Sequence, residues 1–162
     1  MIVTDQKILR KMSTETDWPA IEILEKLKKE IPVDASGLAA IQIGIPARVF
    51  ITRFKDELIE WINPIIEEFS MDKIESEEGC LSIPNKKVFV KRHKEITVST
   101  QASETAKNRY VLLDEEAVIF QHEFDHLNGK LIVDRVAKRN EPCPCGKLKN
   151  GKPIKYKNCC GQ

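Results

Sequence analysis

The chain of 162 residues has no long hydrophobic run and almost no cysteine outside its last 20 residues. No stretch approaches the roughly 18 consecutive apolar residues of a membrane-spanning helix. No secretory or transit segment, internal repeat or low-complexity segment is recognisable. Cys80 is the only cysteine before Cys143, which excludes a disulfide framework for most of the chain. Together these absences predict a cytoplasmic location with reduced thiols.

What remains is a composition that suits one compact domain and a small appendage. Hydrophobic residues make up 41% of the chain, enough to support a core. The net charge of +1 is unevenly placed, since residues 139–162 carry six Lys/Arg against the single acid Glu141. We therefore expect a main domain at residues 1–138 and a basic module at residues 139–162.

The apolar pattern predicts two helices separated by short strands. Asp17 precedes the first predicted helix, which runs to about residue 30. The second, over about 115–127, has Asp114 as its expected N-cap and Asn128-Gly129 as a left-handed stop. Runs of β-branched and aromatic residues predict strands at 49–54, 58–62, 88–90, 96–101 and 110–113. This order indicates an α+β fold.

The most informative motif is His122-Glu123-Phe124-Asp125-His126. On a helix, His122 and His126 stand on one face a turn apart, so both imidazoles can reach one ion. Glu123 can then contact a water bound to that ion. A solvated helix with two surface histidines is the alternative. Apolar neighbours on the histidine face favour the metal, because two inward histidines without a ligand role would be costly to bury.

A catalytic metal site needs at least one further protein ligand. Ile132 stands where the metzincin pattern has its third histidine, and too little chain follows to build the second helix of thermolysin-like enzymes. The best remaining donor is Cys80, between Gly79 and a Leu-Ser-Ile-Pro turn. An isolated cysteine is more often a small buried hydrophobe, but the incomplete histidine pair favours a ligand here.

Three blocks of the chain resemble the signatures of the bacterial peptide deformylase family: GLAAIQ at 37–42, EGCLS at 78–82 and HEFDH at 122–126. Their order and spacing suit the family, and the resemblance covers roughly residues 7–137. It implies a deformylase-like α+β fold, with short antiparallel or mixed sheets around the HExxH helix. It also implies an enzyme that removes the formyl group of N-formylmethionyl nascent peptides and releases formate.

The resemblance further implies a role for each site residue. A metal-activated water would attack the formyl group, with Glu123 as acid and base and with Gln42 and the Leu81 N–H group as oxyanion donors. The metal ligands would be Cys80, His122 and His126. The substrate contacts would be Ser36, Gly37, Gly79, Arg92 and Val118. Fe²⁺ is the expected metal, replaceable by Zn²⁺ or Ni²⁺, because a site of this kind does not select a metal by affinity alone.

The first block departs from the family pattern at three positions. Ala35 replaces a usual glycine, which would cost about 1 kcal/mol if that position needs a positive φ. Ser36 occupies a commonly apolar position beside the substrate side chain, and Ile41 stands where proline or a small residue is common. None of these removes a chemical group, so we expect activity with altered substrate preference.

The remaining cysteines form two pairs near the C-terminus: Cys143, Cys145, Cys159 and Cys160. Their spacing suits a tetrahedral zinc site. Structural disulfides are the alternative, but adjacent cysteines pair poorly with each other. The segment resembles the SEC-C motif, the zinc-binding tail of the bacterial translocation ATPase. A module too short for a core is expected to fold only with its metal.

Other functions remain open at this point. The HExxH motif also occurs in ordinary zinc peptidases, and a deformylase-like core without activity could serve as an adaptor. The basic module suits an anionic partner, for which we expect the ribosome, although a solubilising loop explains the same charge. His93, in a charged segment, is expected at the surface.

Overall fold

The computed structural model describes residues 1–136, 140–143 and 147–159. Over these ranges the helices are α1 (Gln6–Leu9), α2 (Ile21–Glu30), α3 (Asp114–Leu127) and α4 (Ile132–Val136). The strands of the main domain are β1 (Gly37–Ala39), β2 (Val49–Phe54), β3 (Glu57–Ile62), β4 (Ile65–Phe69), β5 (Lys73–Cys80), β6 (Ile83–His93), β7 (Glu95–Gln101) and β8 (Lys107–Leu113). Those of the tail are β9 (Leu148–Lys149) and β10 (Lys152–Pro153). Short 3-10 helices cover Ala40–Ile43 and Tyr156–Asn158.

The strands form small sheets in which neighbouring strands are antiparallel throughout the described ranges. Their orders are β1-β2-β3, β4-β7-β8, β5-β6 and β9-β10. The expected α+β fold with short antiparallel sheets is confirmed. Across 1–136, 140–143 and 147–159, no helix combines the length and apolar character that a bilayer span requires.

Aromatic packing fixes the rotation of α3 about its own axis. Phe120 of α3 meets Phe50 of β2 and Trp61 of β3 edge to face, with ring centroids 5.1 and 4.8 Å apart. All three rings are buried, and the indole N–H of Trp61 donates to the Thr52 hydroxyl at 2.8 Å, so no polar group is left unsatisfied. Because one side of α3 is committed to this core, its histidines face β5 and β6.

Several helices and strands were not predicted from the sequence pattern, for identifiable reasons. α1 and β1 are too short to show a period, and β4 and β5 are rich in charge. β5 alternates in burial, but glutamates occupy many of its positions, so its sequence does not look like a strand. β6 covers Ile83–His93 rather than the predicted 88–90, because lysines occupy exposed positions of the hairpin that it forms with β5.

Three local predictions need correction. The first long helix begins only at Ile21, because Ala20 adopts a left-handed conformation with φ 57°. Asp114 is the first residue of α3 rather than its N-cap; its φ is 46°, its N–H donates to the Lys94 carbonyl, and Leu113 is the flanking residue. His93 is only partly exposed, since Nδ1 lies 2.7 Å from the Ser70 carbonyl oxygen.

Candidate metal-dependent active site

Cys80, His122 and His126 meet where the end of β5 faces α3. One donor atom of each lies within 4.8 Å of the others, and Cys80 Sγ is 3.3 Å from His126 Nε2. A thiolate and two imidazoles are ligands that suit Zn²⁺ and Fe²⁺. The structure thus brings together the three residues that the sequence singles out.

Local strand geometry explains why Cys80 reaches the histidines. β5 and β6 pair regularly from Lys73 to Gly79, and the register then shifts between Gly79 and Cys80. A shift of this kind breaks the alternation of side chains and redirects the next residue. At the other end of the site, α3 ends as predicted, with Gly129 at φ 64° after Asn128.

Glu123 is buried beside the metal-binding group and faces Gly37 of β1. A Cβ added to Gly37 would stand 2.5 Å from Glu123 Oε1, so only glycine leaves room for this carboxylate. Glu123 Oε2 has no hydrogen-bond partner among the described residues. Burial raises the pKa of Glu123 to about 7. A carboxylate with a pKa near neutrality can both accept and return a proton.

Gln42 presents the donor end of its amide to the same place. Its Oε1 accepts a hydrogen bond from the Ala39 N–H at 2.9 Å, which fixes the amide orientation. Its Nε2 then lies 3.2 Å from Ser82 Oγ and 3.7 Å from Cys80 Sγ. Ser82 is a residue of this site that the sequence reasoning missed, although it belongs to the EGCLS block.

Glu78 is the more important residue that the sequence reasoning missed. Its Oε2 lies 2.9 Å from His122 Nδ1, which leaves Nε2 of that ring for a metal. A carboxylate in this position typically orients a metal-binding histidine. Burial acts to raise the pKa of Glu78, but hydrogen bonds from Arg92 and His122 outweigh it and hold the pKa below its ordinary value. The available signal was the polar alternation of β5, in which one glutamate of the pair 77–78 must face inward.

Arg92 does not occupy the expected place at the substrate. It is 2% exposed and donates to both Glu78 oxygens at 2.8 Å and to Asp125 Oδ2 at 2.6 Å. These carboxylates raise its pKa against the effect of burial. The predicted contact between Arg92 and a substrate backbone is corrected accordingly, because the guanidinium is committed to a buried ion-pair network.

The surroundings of the two histidines shift their pKa values in opposite directions. Burial, with a smaller effect of the neighbouring His122, lowers the pKa of His126 to about 3. Burial also acts to lower the pKa of His122, but hydrogen bonds with Cys80 and Glu78 and the charge of Glu123 raise it to about 10. A histidine binds a metal through a neutral imidazole nitrogen, so metal binding by these residues is expected to release protons.

A cavity of about 880 Å³ opens in front of this group. The predicted site residues that line it are Ser36, Gly37, Gln42, Gly79, Cys80, Leu81, Val118, His122 and Glu123. Charged groups that were not predicted, including Glu115 and Lys87, line it as well. Ala35 also borders the cavity and does not adopt a positive φ, so this departure from the family pattern brings no backbone strain.

The tail forms a small hairpin around Cys143. β9 and β10 are joined by Asn150 and Gly151, both with positive φ, as a tight two-residue turn requires. The Cys143 N–H donates to the Ile154 carbonyl at 2.7 Å, and the Tyr156 N–H donates to the Glu141 carbonyl at 2.8 Å. The other two predicted zinc ligands, Cys145 and Cys160, lie outside the described residues. The predicted domain boundary at residue 138 lies outside them as well.

The fold and the donor set define the class of protein first. A helix with HExxH, a cysteine brought to its two histidines by a strand, a buried glutamate and an open cavity are the parts of a metal-dependent hydrolase.

Comparison with known proteins then identifies the family. The sequence profile described as polypeptide deformylase matches residues 1–142. The peptide deformylase of Rhizobium meliloti is 38% identical over 150 residues, which cover 85% of this chain and 84% of the relative. That of Thermotoga petrophila is 43% identical over 104 residues, which cover 64% of this chain and 63% of the relative.

The crystal structure of peptide deformylase from Thermotoga maritima superposes with a TM-score of 0.77 at 35% identity, covering 85% of this chain and 97% of that one. The chain belongs to the peptide deformylase family.

Proposed function

We propose that the protein hydrolyses the N-formyl group of N-formylmethionyl nascent peptides in the cytoplasm and releases formate. Membership of the deformylase family supports this activity. The observation that carries it is the convergence of Cys80, His122 and His126, with donor atoms within 4.8 Å of one another, beside the buried Glu123 and an open cavity.

The donor set fits a divalent metal held by Cys80, His122 and His126. The donor atoms are close together, and Glu78 leaves one nitrogen of His122 available. We propose Fe²⁺ as the resident ion, replaceable by Zn²⁺ or Ni²⁺. When bound, such an ion acts as a Lewis acid on the formyl carbonyl and lets water act as a nucleophile at neutral pH.

The residues of the chain then perform the proton transfers and bind the developing charge. Glu123 accepts a proton from the attacking water and returns it to the departing amine, a role typically worth about 10²–10⁴-fold in rate. The Nε2 group of Gln42 and the N–H of Leu81 donate to the carbonyl oxygen, and each such donor typically contributes about 3 kcal/mol. Ser36, Gly37, Gly79 and Val118 line the cavity and form the walls against which the substrate binds.

Formate release tests this proposal directly. Protein purified without oxygen and loaded with Fe²⁺ is offered a short formyl-Met peptide, the matching acetyl-Met peptide and an unformylated peptide. We expect stoichiometric formate and free amine from the first alone. Cleavage of internal peptide bonds would indicate an HExxH peptidase instead, and metal-replete protein without any turnover would indicate an inactive adaptor.

We also propose that residues 139–162 form a separate zinc module with Cys143, Cys145, Cys159 and Cys160 as ligands. The family match ends at residue 142, immediately before the first of these cysteines. The backbone hydrogen bond from Cys143 to Ile154 ties the first cysteine to the strand end that leads toward Cys159. A hairpin that presents cysteines from both of its ends is a common frame for structural zinc.

The zinc module is further proposed to tether the enzyme to the ribosome. Its lysines Lys147, Lys149, Lys152 and Lys155 are exposed. Contacts between lysines and RNA phosphates would make such binding strongly dependent on salt.

Co-sedimentation with ribosomes at low and moderate salt tests the tether. A variant with Lys147, Lys149, Lys152 and Lys155 changed to alanine should lose pelleting at low salt. A matched control changes Lys26, Lys29, Lys73 and Lys91, which are also exposed, and removes the same charge from the main domain. If both variants pellet as the parent does, the tail is not the tether.

A further inference from the structure

A continuous chain of charged side chains leads from α4 to the histidine pair. Arg135 Nε donates to Asp125 Oδ2 at 2.8 Å, and its Nη2 bonds Asp125 Oδ1. Asp125 Oδ2 also accepts from Arg92 Nη1 at 2.6 Å. Arg92 in turn binds both oxygens of Glu78, whose Oε2 lies 2.9 Å from His122 Nδ1.

This chain is balanced in charge and closed to water except at its outer end. It contains two guanidinium groups and two carboxylates, and the side chains of Glu78, Arg92 and Asp125 are at most 7% exposed. Arg135, at 39%, is the member that reaches solvent. Removing one partner from a buried ion-pair network leaves a charge that the interior cannot compensate.

α4 has a second, independent anchor that does not belong to this chain of charges. Arg10, the residue after α1, bonds both oxygens of Asp134, at 2.7 and 3.1 Å. The two anchors sit on consecutive residues of the same five-residue helix. The attachment of α4 can therefore be loosened at Arg10 without touching the network that ends at His122.

We propose that Arg135 is a positioning residue for the metal ligand His122, acting through Asp125, Arg92 and Glu78. The inference rests on the proposed metal role of His122. Without Arg135, the guanidinium of Arg92 becomes the one remaining side-chain partner of Asp125 within the described part of the chain, and the hydrogen bonds of Arg92 to Glu78 weaken. Glu78 then holds the imidazole less firmly, and the ring loses the orientation that ligation needs.

Two effects of removing Arg135 have opposite signs, which makes the inference testable. The uncompensated negative charge of Asp125, by itself, attracts a cation and would tighten metal binding. Loss of orientation at His122 weakens it, and partners that orient a ligand directly are typically worth about 10–100-fold in metal affinity. Because Arg135 acts through three intervening residues, we expect a weakening at the lower end, of about tenfold.

The experiment compares full-length Arg135→Gln, Arg135→Lys and Arg10→Gln with the parent. Co²⁺ is titrated in the absence of oxygen, and its visible absorption reports ligation by a thiolate and imidazoles. All variants share one tail, so differences between them arise in the main domain. Melting temperature, together with kcat and KM on a short formyl-Met peptide, completes the comparison.

We expect Arg135→Gln to weaken Co²⁺ binding about tenfold and to lower kcat with little change in KM, since Arg135 does not line the substrate cavity. Arg135→Lys keeps the charge but cannot form the bidentate contact, and should recover part of the loss. Arg10→Gln should lower the melting temperature but leave Co²⁺ binding within about twofold of the parent, because its effect is confined to the other anchor.

Unchanged or tighter Co²⁺ binding in Arg135→Gln would overturn the inference, as would an equal loss in Arg10→Gln. Failure of the proposed function is a separate outcome. If the parent releases no formate but Co²⁺ affinity follows the expected order, Arg135 still positions His122 and the reaction has been misassigned.

Discussion

The protein combines two candidate metal centres that are built in different ways. In the main domain the candidate ligands come from β5 and α3, and the charged residues behind them form a network across four secondary-structure elements that is buried except at Arg135. In the tail, all four cysteines lie within the last 20 residues, and the described frame is a hairpin of two-residue strands. Among the tail residues that the structure describes, Cys143 alone is buried.

This difference indicates what holds the candidate ligands of each centre in position. The candidate ligands of the main domain are held by an existing core, so a metal would bind to groups that are already in place. The described part of the tail is a hairpin of two-residue strands, and we expect a module of this size to gain most of its folding free energy from the metal. A substitution in one centre should therefore leave metal binding at the other centre unchanged.

The largest expected effect removes the tail centre altogether. Changing Cys143 and Cys159 together to serine should lower the bound metal by one equivalent, because half of the proposed ligands are lost. Amide exchange should accelerate at residues 147–159. Formate release from a short formyl-Met peptide should stay within about twofold of the parent, as no core ligand is touched. Loss of both metals would show that the centres are not separate.

The next effect is chemical and confined to the main domain. Glu123→Gln should reduce formate release by at least about 100-fold, because the base is lost while all three metal ligands remain. Metal content should be unchanged in both centres. Near-normal turnover in metal-replete Glu123→Gln would remove Glu123 from the mechanism.

A smaller effect follows from the space between β1 and α3. Gly37→Ala places a Cβ 2.5 Å from Glu123 Oε1, so the carboxylate must move. A displacement of about 1 Å can cost on the order of 100-fold in rate, and we expect a loss of roughly 10- to 100-fold in kcat. Gly79→Ala is the comparison, since a Cβ added there would stand 3.9 Å from its nearest neighbours, and its effect should be clearly smaller.

The smallest effect concerns the turn of the tail hairpin. Gly151 has φ 73° and open space around its Cα, so Gly151→Ala introduces backbone strain without a clash. That strain costs about 1 kcal/mol and should weaken zinc binding in the tail by about fivefold. Turnover of a short peptide should not change. A loss of activity would show that the tail and the main domain are coupled.

The sequence was sufficient for the class of fold and for the three candidate ligands that the structure brings together, Cys80, His122 and His126. The relative positions of His122 and His126 follow from the motif itself, because helical spacing puts both on one face. The incomplete ligand set then pointed to Cys80. The boundaries of α3 could be predicted to within a residue, because Asn128-Gly129 marks the end of the helix. The capping role expected of Asp114 was wrong.

What the sequence did not reveal are contacts between residues distant in the chain. Glu78 and Arg92 belong to a strongly charged hairpin whose sequence predicts an exposed surface. Only the packing of α3 against this hairpin shows which of its charged side chains are buried. The expectation of a substrate contact at Arg92 came from the family resemblance, and the sequence alone did not show that this side chain is buried. Long-range ion pairs have no periodic signature, so a buried arginine and an exposed one look alike in sequence.

The contact between Gly37 and Glu123 has a consequence for the motion of the base. A Cβ added at position 37 would stand 2.5 Å from Glu123 Oε1, and Glu123 Oε2 has no hydrogen-bond partner among residues 1–136, 140–143 and 147–159. A carboxylate anchored by hydrogen bonds must break and re-form them whenever it relays a proton. A carboxylate with one free oxygen, such as Glu123 Oε2, can turn between donor and acceptor with less reorganisation. The missing side chain at position 37 therefore leaves the proposed base room to turn.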